Sequence, residues 1–426
     1  MQKLNDEKVN VGPYTLHLIK TGKFKTNTIA LKFLSPLERE TITERSLLPF
    51  VLQKGSKKYS DERELRLKLD DLYGAKFSIN SSKKGENHVI TFVLDFPNER
   101  FLPGENNLVE QCLQFLYDIL MNPNVSDRQF NERVVEREKE TLENKIKAII
   151  DEKIQYANIR LIDEMCKNEK YSIHSHGYLE DLPNISARSL YDTYERMINE
   201  DKLDIYVVGD FNQDEMKNQI ESVFQLNRQS RHDVVQSTSV EPNEVEEVLE
   251  KQKVQQAKLH IGYRTGITYR DPDYFALQLF NGVFGGFPHS KLFINVREKH
   301  SLAYYAASRL ESNKGLLFVY SGIAPEQFEK AKDIILEQHE DIKNGQITEE
   351  ELEQTKKMLI HQIKETVDRS GGIVELYYQQ EINQFDIGLD EIYERIQSVT
   401  RDEVINIAHQ IKLDTIYLLT AEGGGE

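Results

Sequence analysis

Metal and hydrolytic chemistry needs lone-pair side chains at a fixed spacing, so the histidines, cysteines and acids come first. The chain has no HExxH, no HxxEH and no Cys-x-x-Cys. His339-Glu340 and His361 lack the i+4 partner that would put two ligands on one helix face. On charged helices they read as solvated side chains. His174-Ser175-His176 is more suggestive, because alternate side chains of a strand point the same way and both imidazoles could meet one ion. No acid or third ligand follows, and a polar loop is the competing reading. Cys112 and Cys166 cannot make a disulfide framework and read as buried free thiols in helical segments. No GxSxG elbow, P-loop or dinucleotide-binding glycine motif follows a strand, and Phe284-Gly285-Gly286-Phe287 by itself signals a turn.

The elements that would position such groups belong to a soluble globular chain. Of 426 residues, 39% are hydrophobic and 29% charged. Acids outnumber bases 71 to 54, a formal charge of −17. That excess opposes non-specific binding to nucleic acid or an anionic membrane, and no local basic patch stands out. Met1 to Glu7 holds no apolar signal core, and no stretch approaches the ~20 apolar residues of a membrane span. The cytoplasm is the expected compartment.

The chain reads as two copies of one plan. Leu108, Cys112, Phe115, Leu116 and Ile119 recur at helical spacing up to Asn122-Pro123. Ser126 with Gln129 then predicts a capping box and a long charged helix. In the second half Phe328, Ala331, Ile335 and Ile342 mark the matching helix, and Thr348 with Glu351 the matching box. Strand Thr28–Ser35 is paired with Ala257–Thr265, each alternating as a strand with one buried face does. Helix Ser186–Asn199 into strand Leu203–Val208 is paired with helix Thr400–Gln410 into strand Asp414–Leu419. Lys76 to Phe96 reads as an antiparallel hairpin, and the polar stretch 227–245, with Pro242, as a linker. The fold class predicted is α+β: domain 1–226 and domain 246–426, each a mixed, largely antiparallel sheet with helices on one face.

The order of elements, the repeat and two local motifs resemble the pitrilysin family. That family includes the mitochondrial processing peptidases and insulin-degrading enzyme and carries an inverted zinc motif. The first motif is Ser46–Gly55 (SLLPFVLQKG) followed by Leu69–Ala75. Active relatives place His-x-x-Glu-His shortly before a Lys-Gly pair. Counting back from Lys54-Gly55, the histidine positions fall on Ser46 and Phe50, and the general base on Pro49. The third ligand, a glutamate on the long charged helix, falls on Lys145 in the best register of Glu138–Ile146. A hydroxyl and a phenyl ring supply no adequate ligand pair, and an ammonium repels the ion. Without metal or base no water is activated. No zinc, no other cofactor and no hydrolysis by the chain alone are expected, and zinc held by substitute ligands is disfavoured on the same chemistry.

The second motif is intact. Ser290-Lys291-Leu292-Phe293, Val296-Arg297-Glu298-Lys299 and Leu302-Ala303-Tyr304 are similar to the family's second-half signature. There the arginine and the tyrosine bind the substrate backbone and stabilise charge at the scissile carbonyl; carried over, they are Arg297 and Tyr304. Ser301 stands where glycine is usual, and Gly285-Gly286-Phe287-Pro288-His289 where the glycine run is longer. Some bacterial members divide the zinc motif and the Arg/Tyr pair between two chains. The resemblance therefore implies a non-catalytic subunit of a heterodimeric metallopeptidase. Its partner would be a similar-sized paralogue with HxxEH, and its substrate a peptide or unfolded segment added to a sheet edge. The alternative it implies is an inactive peptide-binding or scaffold protein, a homodimer or maturation factor, with a link to elongation factor P modification.

Overall fold

Alternating apolar side chains build the strands, and the computed structural model describes them over residues 4, 6–104, 107–237, 240–242 and 244–422. The chain runs β1 (Asp6–Asn10), β2 (Thr15–Lys20), β3 (Thr26–Pro36), α1 (Ile42–Leu52), α2 (Glu62–Asp71), β4 (Lys76–Lys84), β5 (Asn87–Pro97) and α3 (Leu108–Met121). A short hairpin, β6 (Val125–Ser126) and β7 (Gln129–Phe130), leads into α4 (Glu132–Asp151) and α5 (Lys153–Met165). Next come α6 (Ala187–Glu200), β8 (Lys202–Gly209) and α7 (Gln213–Val223). The second half holds β9 (Glu246–Gln252), β10 (Ala257–Arg264), α8 (Tyr274–Asn281), β11 (Ala303–Glu311), β12 (Leu316–Ile323) and α9 (Phe328–Lys343). It closes with α10 (Glu349–Val367), α11 (Ser370–Asn383), α12 (Leu389–Ser398), α13 (Arg401–Gln410) and β13 (Lys412–Ala421).

Two compact units interleave along the chain. The first comprises residues 1–147, 173–235 and 367–382, the second 148–172, 236–366 and 383–426. The first sheet has the order β1-β2-β8-β3-β5-β4 and the second β11-β12-β10-β13-β9. Leaving out β1, the two orders superpose, β2-β8-β3-β5-β4 on β9-β13-β10-β12-β11. Each has one parallel pair, β2 with β8 and β13 with β9, and is otherwise antiparallel. The α+β class and the repeated order of strands are thus both present.

In the first unit Leu16, Leu18, Ile29, Leu31, Phe33, Phe92, Leu94, Ile205 and Val207 cluster with α1, α3, α6 and α7. Each large apolar side chain fully buried there contributes roughly 1.5–3 kcal/mol. The alternate positions do not meet water. Lys32 places its ammonium 4.2 Å over the ring of Tyr378 on α11, and Tyr206 meets Tyr378 edge to face at 6.0 Å. In the second unit α5 covers the corresponding face, packing Ala157, Leu161 and Met165 on Leu316, Phe318, Tyr417 and Leu419. The strands read from sequence as buried on one face, β3 and β10, are therefore buried on both. Periodicity cannot reveal this, because the covering helix is distant in sequence.

Several local readings need correction. Ser126 and Gln129 pair with each other across a two-residue turn, Asp127 and Arg128 both having positive φ, so they form a hairpin rather than a capping box. The helix that follows is opened by Asn131, whose Oδ1 accepts from Val134 N at 3.3 Å. The Thr348/Glu351 box is formed, with both reciprocal bonds. His339 is not solvated. It is buried against Tyr263, Phe280 and Phe284, with Nε2 2.9 Å from the Ala408 carbonyl. Gly285 and Gly286 end a π-helical segment, Gly282–Gly286, rather than a simple turn. A Cβ on Gly285 would stand 2.7 Å from Ser308 N on β11. Cys112 and Cys166 are buried and form no disulfide. Among the described residues no helix is long and apolar enough to cross a membrane.

Candidate functional site

Helix α1 carries the three positions of the first motif. Ser46 is buried, and its hydroxyl proton is shared between the carbonyls of Ile42 (2.7 Å) and Ser175 (2.8 Å). Pro49 lies inside the helix, where its missing N–H leaves the carbonyl one turn back without its helical donor. Phe50 is half-buried against the first core. Lys145, exposed on α4, holds its ammonium 5.3 Å from the centroid of the Phe50 ring. The fold thus brings the second and third positions of the resemblance together, and they present a ring and a cation.

The histidine pair sits against the same helix. Residues 173–177 form a turn closed by Gly177 N to His174 O at 3.0 Å, not a strand, so the two imidazoles are not set side by side by strand alternation. Gly177 has φ +75°, and a Cβ there would come within 2.6 Å of the Thr43 Cα. Only glycine allows so close an approach. Tyr178 N donates to Thr43 Oγ1 at 3.1 Å, and the ring of His174 stacks on Tyr178 at 4.8 Å. Lys83, at the end of β4, donates to the Ile173 carbonyl at 3.2 Å. Burial pushes the His176 imidazole down to about 4, and Lys145, His174 and Lys83 push it the same way. All three of these neighbours act on His176 in the same, lowering sense. This basic surround is the feature that residue spacing missed. The Lys83-Lys84 doublet was its only signal, because its other members come from separate segments.

The donor set does not fit zinc. The hydroxyl is committed as a donor, the phenyl ring has no lone pair, and the third group is already a cation. Among the described residues one group of three potential ligands lies within reach of a single point, His17, Asp204 and Glu381. There the Lys202 ammonium is 2.7 Å from both Asp204 oxygens and 3.1 Å from Glu381, so a fixed cation already neutralises the acids. It is a buried ion-pair network between β2, β8 and α11.

The second motif lies in the second unit. Arg297 sits in a π-helical segment, Leu292–Lys299, closed by His300 N to Asn295 O at 3.3 Å. Its guanidinium is 4.5 Å over the Phe293 ring and its Nε 3.9 Å from Glu298. Half-exposed, it keeps donors free for a ligand. Tyr304 is the second residue of β11, the edge strand, and is 81% exposed. Between them Ser301 takes φ +50°, which explains why glycine is usual at that position. The segment offers a guanidinium and a phenol, two strong donors, beside unpaired strand backbone.

Comparison with known proteins identifies the family. Residues 184–359 match the family described as "Peptidase M16 inactive domain". The chain is 44% identical, over the full length of both, to a protein of Bacillus subtilis named "Probable inactive metalloprotease YmfF". A conserved protein of Enterococcus faecalis superposes with TM-score 0.92 at 35% identity, covering 99% of this chain and 100% of that one. A peptidase M16 inactive domain from Pseudomonas fluorescens shares the fold, with TM-score 0.81 at 16% identity over 99% and 100% of the two chains. With its repeated α+β units and without an HxxEH motif, the chain belongs to the pitrilysin-like peptidase M16 family as a degenerate member.

Proposed function

We propose that this chain is the non-catalytic subunit of a heterodimeric zinc metallopeptidase of the cytoplasm. It supplies Arg297 and Tyr304 to a similar-sized paralogue that carries HxxEH. The observation that carries the reading is Tyr304, a large aromatic 81% exposed on an edge strand, seven residues after a half-exposed arginine. Exposed to that degree it adds little to the stability of the isolated chain, so its value lies in what it meets. The ligand-poor set Ser46, Phe50 and Lys145 supports assigning the metal to the partner.

In this reading a peptide binds extended, adding a strand to a free sheet edge, with main-chain bonds giving affinity. The guanidinium and the phenolic O–H donate to the scissile carbonyl oxygen as it gains charge, while the partner activates water. The test is turnover by the assembled pair. Arg297→Ala and Tyr304→Phe should each lower it by ~10²-fold, the usual loss for an oxyanion donor. Unchanged turnover overturns the reading. The second reading, a peptide-binding or scaffold protein without cleavage, is favoured by the free edge of β4 beside the basic turn. Co-purification decides between them, since the scaffold reading predicts no zinc-motif paralogue among the captured chains.

A further inference from the structure

The two sheets share one strand order except for β1, which covers the outer edge of β2 in an antiparallel ladder from Asp6 opposite Ile19 to Asn10 opposite Thr15. The equivalent strand of the second unit is β9. It pairs with β13 on one side and, among the described residues, with no strand on the other. Such an edge presents main-chain donors and acceptors ready to take another strand. The Gln252 carbonyl accepts from Glu422 N at 3.2 Å, on the β13 side. Backbone groups alternate along a strand, so the N–H and C=O of Glu247, Leu249 and Lys251 face outward.

The side chains of the same three residues are all exposed and share one face. Their neighbours turn the other way. Lys167 holds Glu246 at 2.7 Å, Arg160 and Tyr417 hold Glu250 at 3.1 and 2.8 Å, and Lys153 donates to Gln252 at 2.8 Å. Glu247 meets Lys332 of α9 at 3.2 Å. Each acid of β9 thus has a basic partner in its own chain, and the acidic excess of the sequence is not concentrated at this edge. Leu249, at the centre of the strand, is 59% exposed. Natural open edges are usually guarded by a charge at such a position, and here an apolar side chain occupies it.

We propose that β9 is a self-association strand, through which two copies of the chain join edge to edge about a two-fold axis at Leu249 and fuse their five-stranded sheets. The occupant is a second copy because the strand sequence EEVLEKQ is complementary to itself when read antiparallel. With the axis at Leu249, Glu247 faces Lys251 of the other copy, Leu249 faces Leu249, Val248 faces Glu250, and Glu246 faces Gln252. Outward residues then meet outward residues, as they must to exchange main-chain bonds. Moving the axis to Val248 sets Glu246 against Glu250, and moving it to Glu250 sets two Glu250 carboxylates against each other. Of the three registers, the one at Leu249 alone opposes unlike charges and no like ones. Lys332 does not block it, since a carboxylate accepts more than one donor. This interface goes beyond the metallopeptidase reading and does not depend on it.

Sedimentation equilibrium of the full chain, without any partner, tests it. The parent should dimerise with a micromolar Kd, as a small interface built on main-chain bonds does. Leu249→Lys should leave it monomeric. Lys251→Glu and Glu247→Lys each set like charges opposite one another on both sides of the axis and should weaken the dimer by ~10-fold or more. Combined, the two changes restore unlike pairs and should recover the parent affinity. A parent that stays monomeric into the millimolar range overturns the proposal, and so does a dimer indifferent to Leu249→Lys. Failure of the combined variant to recover what either single change loses overturns the register and, with it, the self-complementary edge. Should a variant unfold, amide exchange in the parent decides. The Leu249 N–H, outward in a single copy, gains protection as chain concentration rises; equal exchange at low and high concentration overturns the proposal.

Discussion

Lys145 and Phe50, ninety-five positions apart in the chain, meet with the ammonium 5.3 Å from the ring centroid. The contact is a cation–π pair at an exposed site, worth about 0.5–1 kcal/mol. Its larger consequence is chemical: in the register that the resemblance implies, a phenyl ring and an ammonium stand where the motif would need ligands, and neither can bind a metal. Added zinc should therefore leave the chain unchanged. A ligand present at a hundred times its Kd stabilises by about 2.7 kcal/mol, which thermal unfolding detects easily. The expected result is one Tm with zinc or with EDTA, and a substoichiometric metal content. A full equivalent of zinc that raises Tm would refute the degenerate reading of Ser46, Pro49 and Phe50.

Arg297 and Tyr304 should be neutral for folding. Both are exposed, and the ion pair of Arg297 with Glu298 is long, at 3.9 Å. Arg297→Ala and Tyr304→Phe should each change unfolding free energy by no more than about 0.5 kcal/mol. Chemical denaturation of the isolated chain measures this. A loss of several kcal/mol would make the pair a structural device and remove the basis for its proposed role.

Ser301 bears a measurable cost. A non-glycine residue in left-handed backbone costs roughly 1–2 kcal/mol against glycine, offset in part by glycine's greater freedom when unfolded. Ser301→Gly should raise stability by about 0.5–1 kcal/mol, and Ser301→Val should lower it by more than that, with equilibrium denaturation as the readout. If Ser301→Gly destabilises, the turn between Arg297 and Tyr304 is held by the serine hydroxyl instead.

The repeat was legible because each copy uses the same local signals: an amphipathic helix, a capped charged helix, and a helix feeding a central strand. Most of what stayed hidden came from chain segments far apart. His339 looks solvated on a charged helix until Tyr263 and Phe284, from β10 and the π-helical segment, close over it. The polar face of β3 and β8 looks exposed until α11 brings Glu375 and Tyr378 to it. Ser126 and Gln129 have the spacing of a capping box, but Asp127 and Arg128 in left-handed backbone turn the same four residues into a hairpin. The zinc-site substitutions could be read directly, residue by residue. The basic surround could not, since Lys83, Lys145 and His176 are assembled only by the fold.

Arg45 precedes the first motif position and ties α1 to the strand behind it. Its guanidinium donates to both Asp201 oxygens, at 3.3 and 2.7 Å, and its Nε to His88 Nδ1 at 3.2 Å, with all three residues buried. Removing one partner of a buried pair leaves a desolvated charge alone. Asp201→Ala should cost about 3–5 kcal/mol, whereas the double change Arg45→Met with Asp201→Leu should cost markedly less. Denaturation of the two variants beside the parent tests this, and equal losses in the single and double variants would show that packing rather than charge sets the penalty.

Acid should unfold the chain through its buried histidines. Burial pushes the His339 imidazole down to about 4, aided by Lys343 and opposed by the Ala408 carbonyl. Burial likewise pushes His260 down to about 3. The unfolded chain takes up these protons near pH 6.5 and the folded chain does not, so their contribution is intact above that pH and is lost as pH falls toward 4. His17 runs the other way. Burial lowers it, but hydrogen bonds to Asp204 and Asp6 more than compensate and raise it, so its stabilisation holds below 6.5 and fades as pH rises through the folded value. With His176 and the buried His88 also pushed down, the depressed histidines outweigh the one that is raised, and acid dominates. For His339 alone the loss between pH 6.5 and 4 is roughly 3 kcal/mol. Urea unfolding at stepped pH should show that slope in the parent, and a flatter one by that amount in His339→Leu, which fills the same nest without a proton site. An identical slope in the variant would place the acid sensitivity elsewhere.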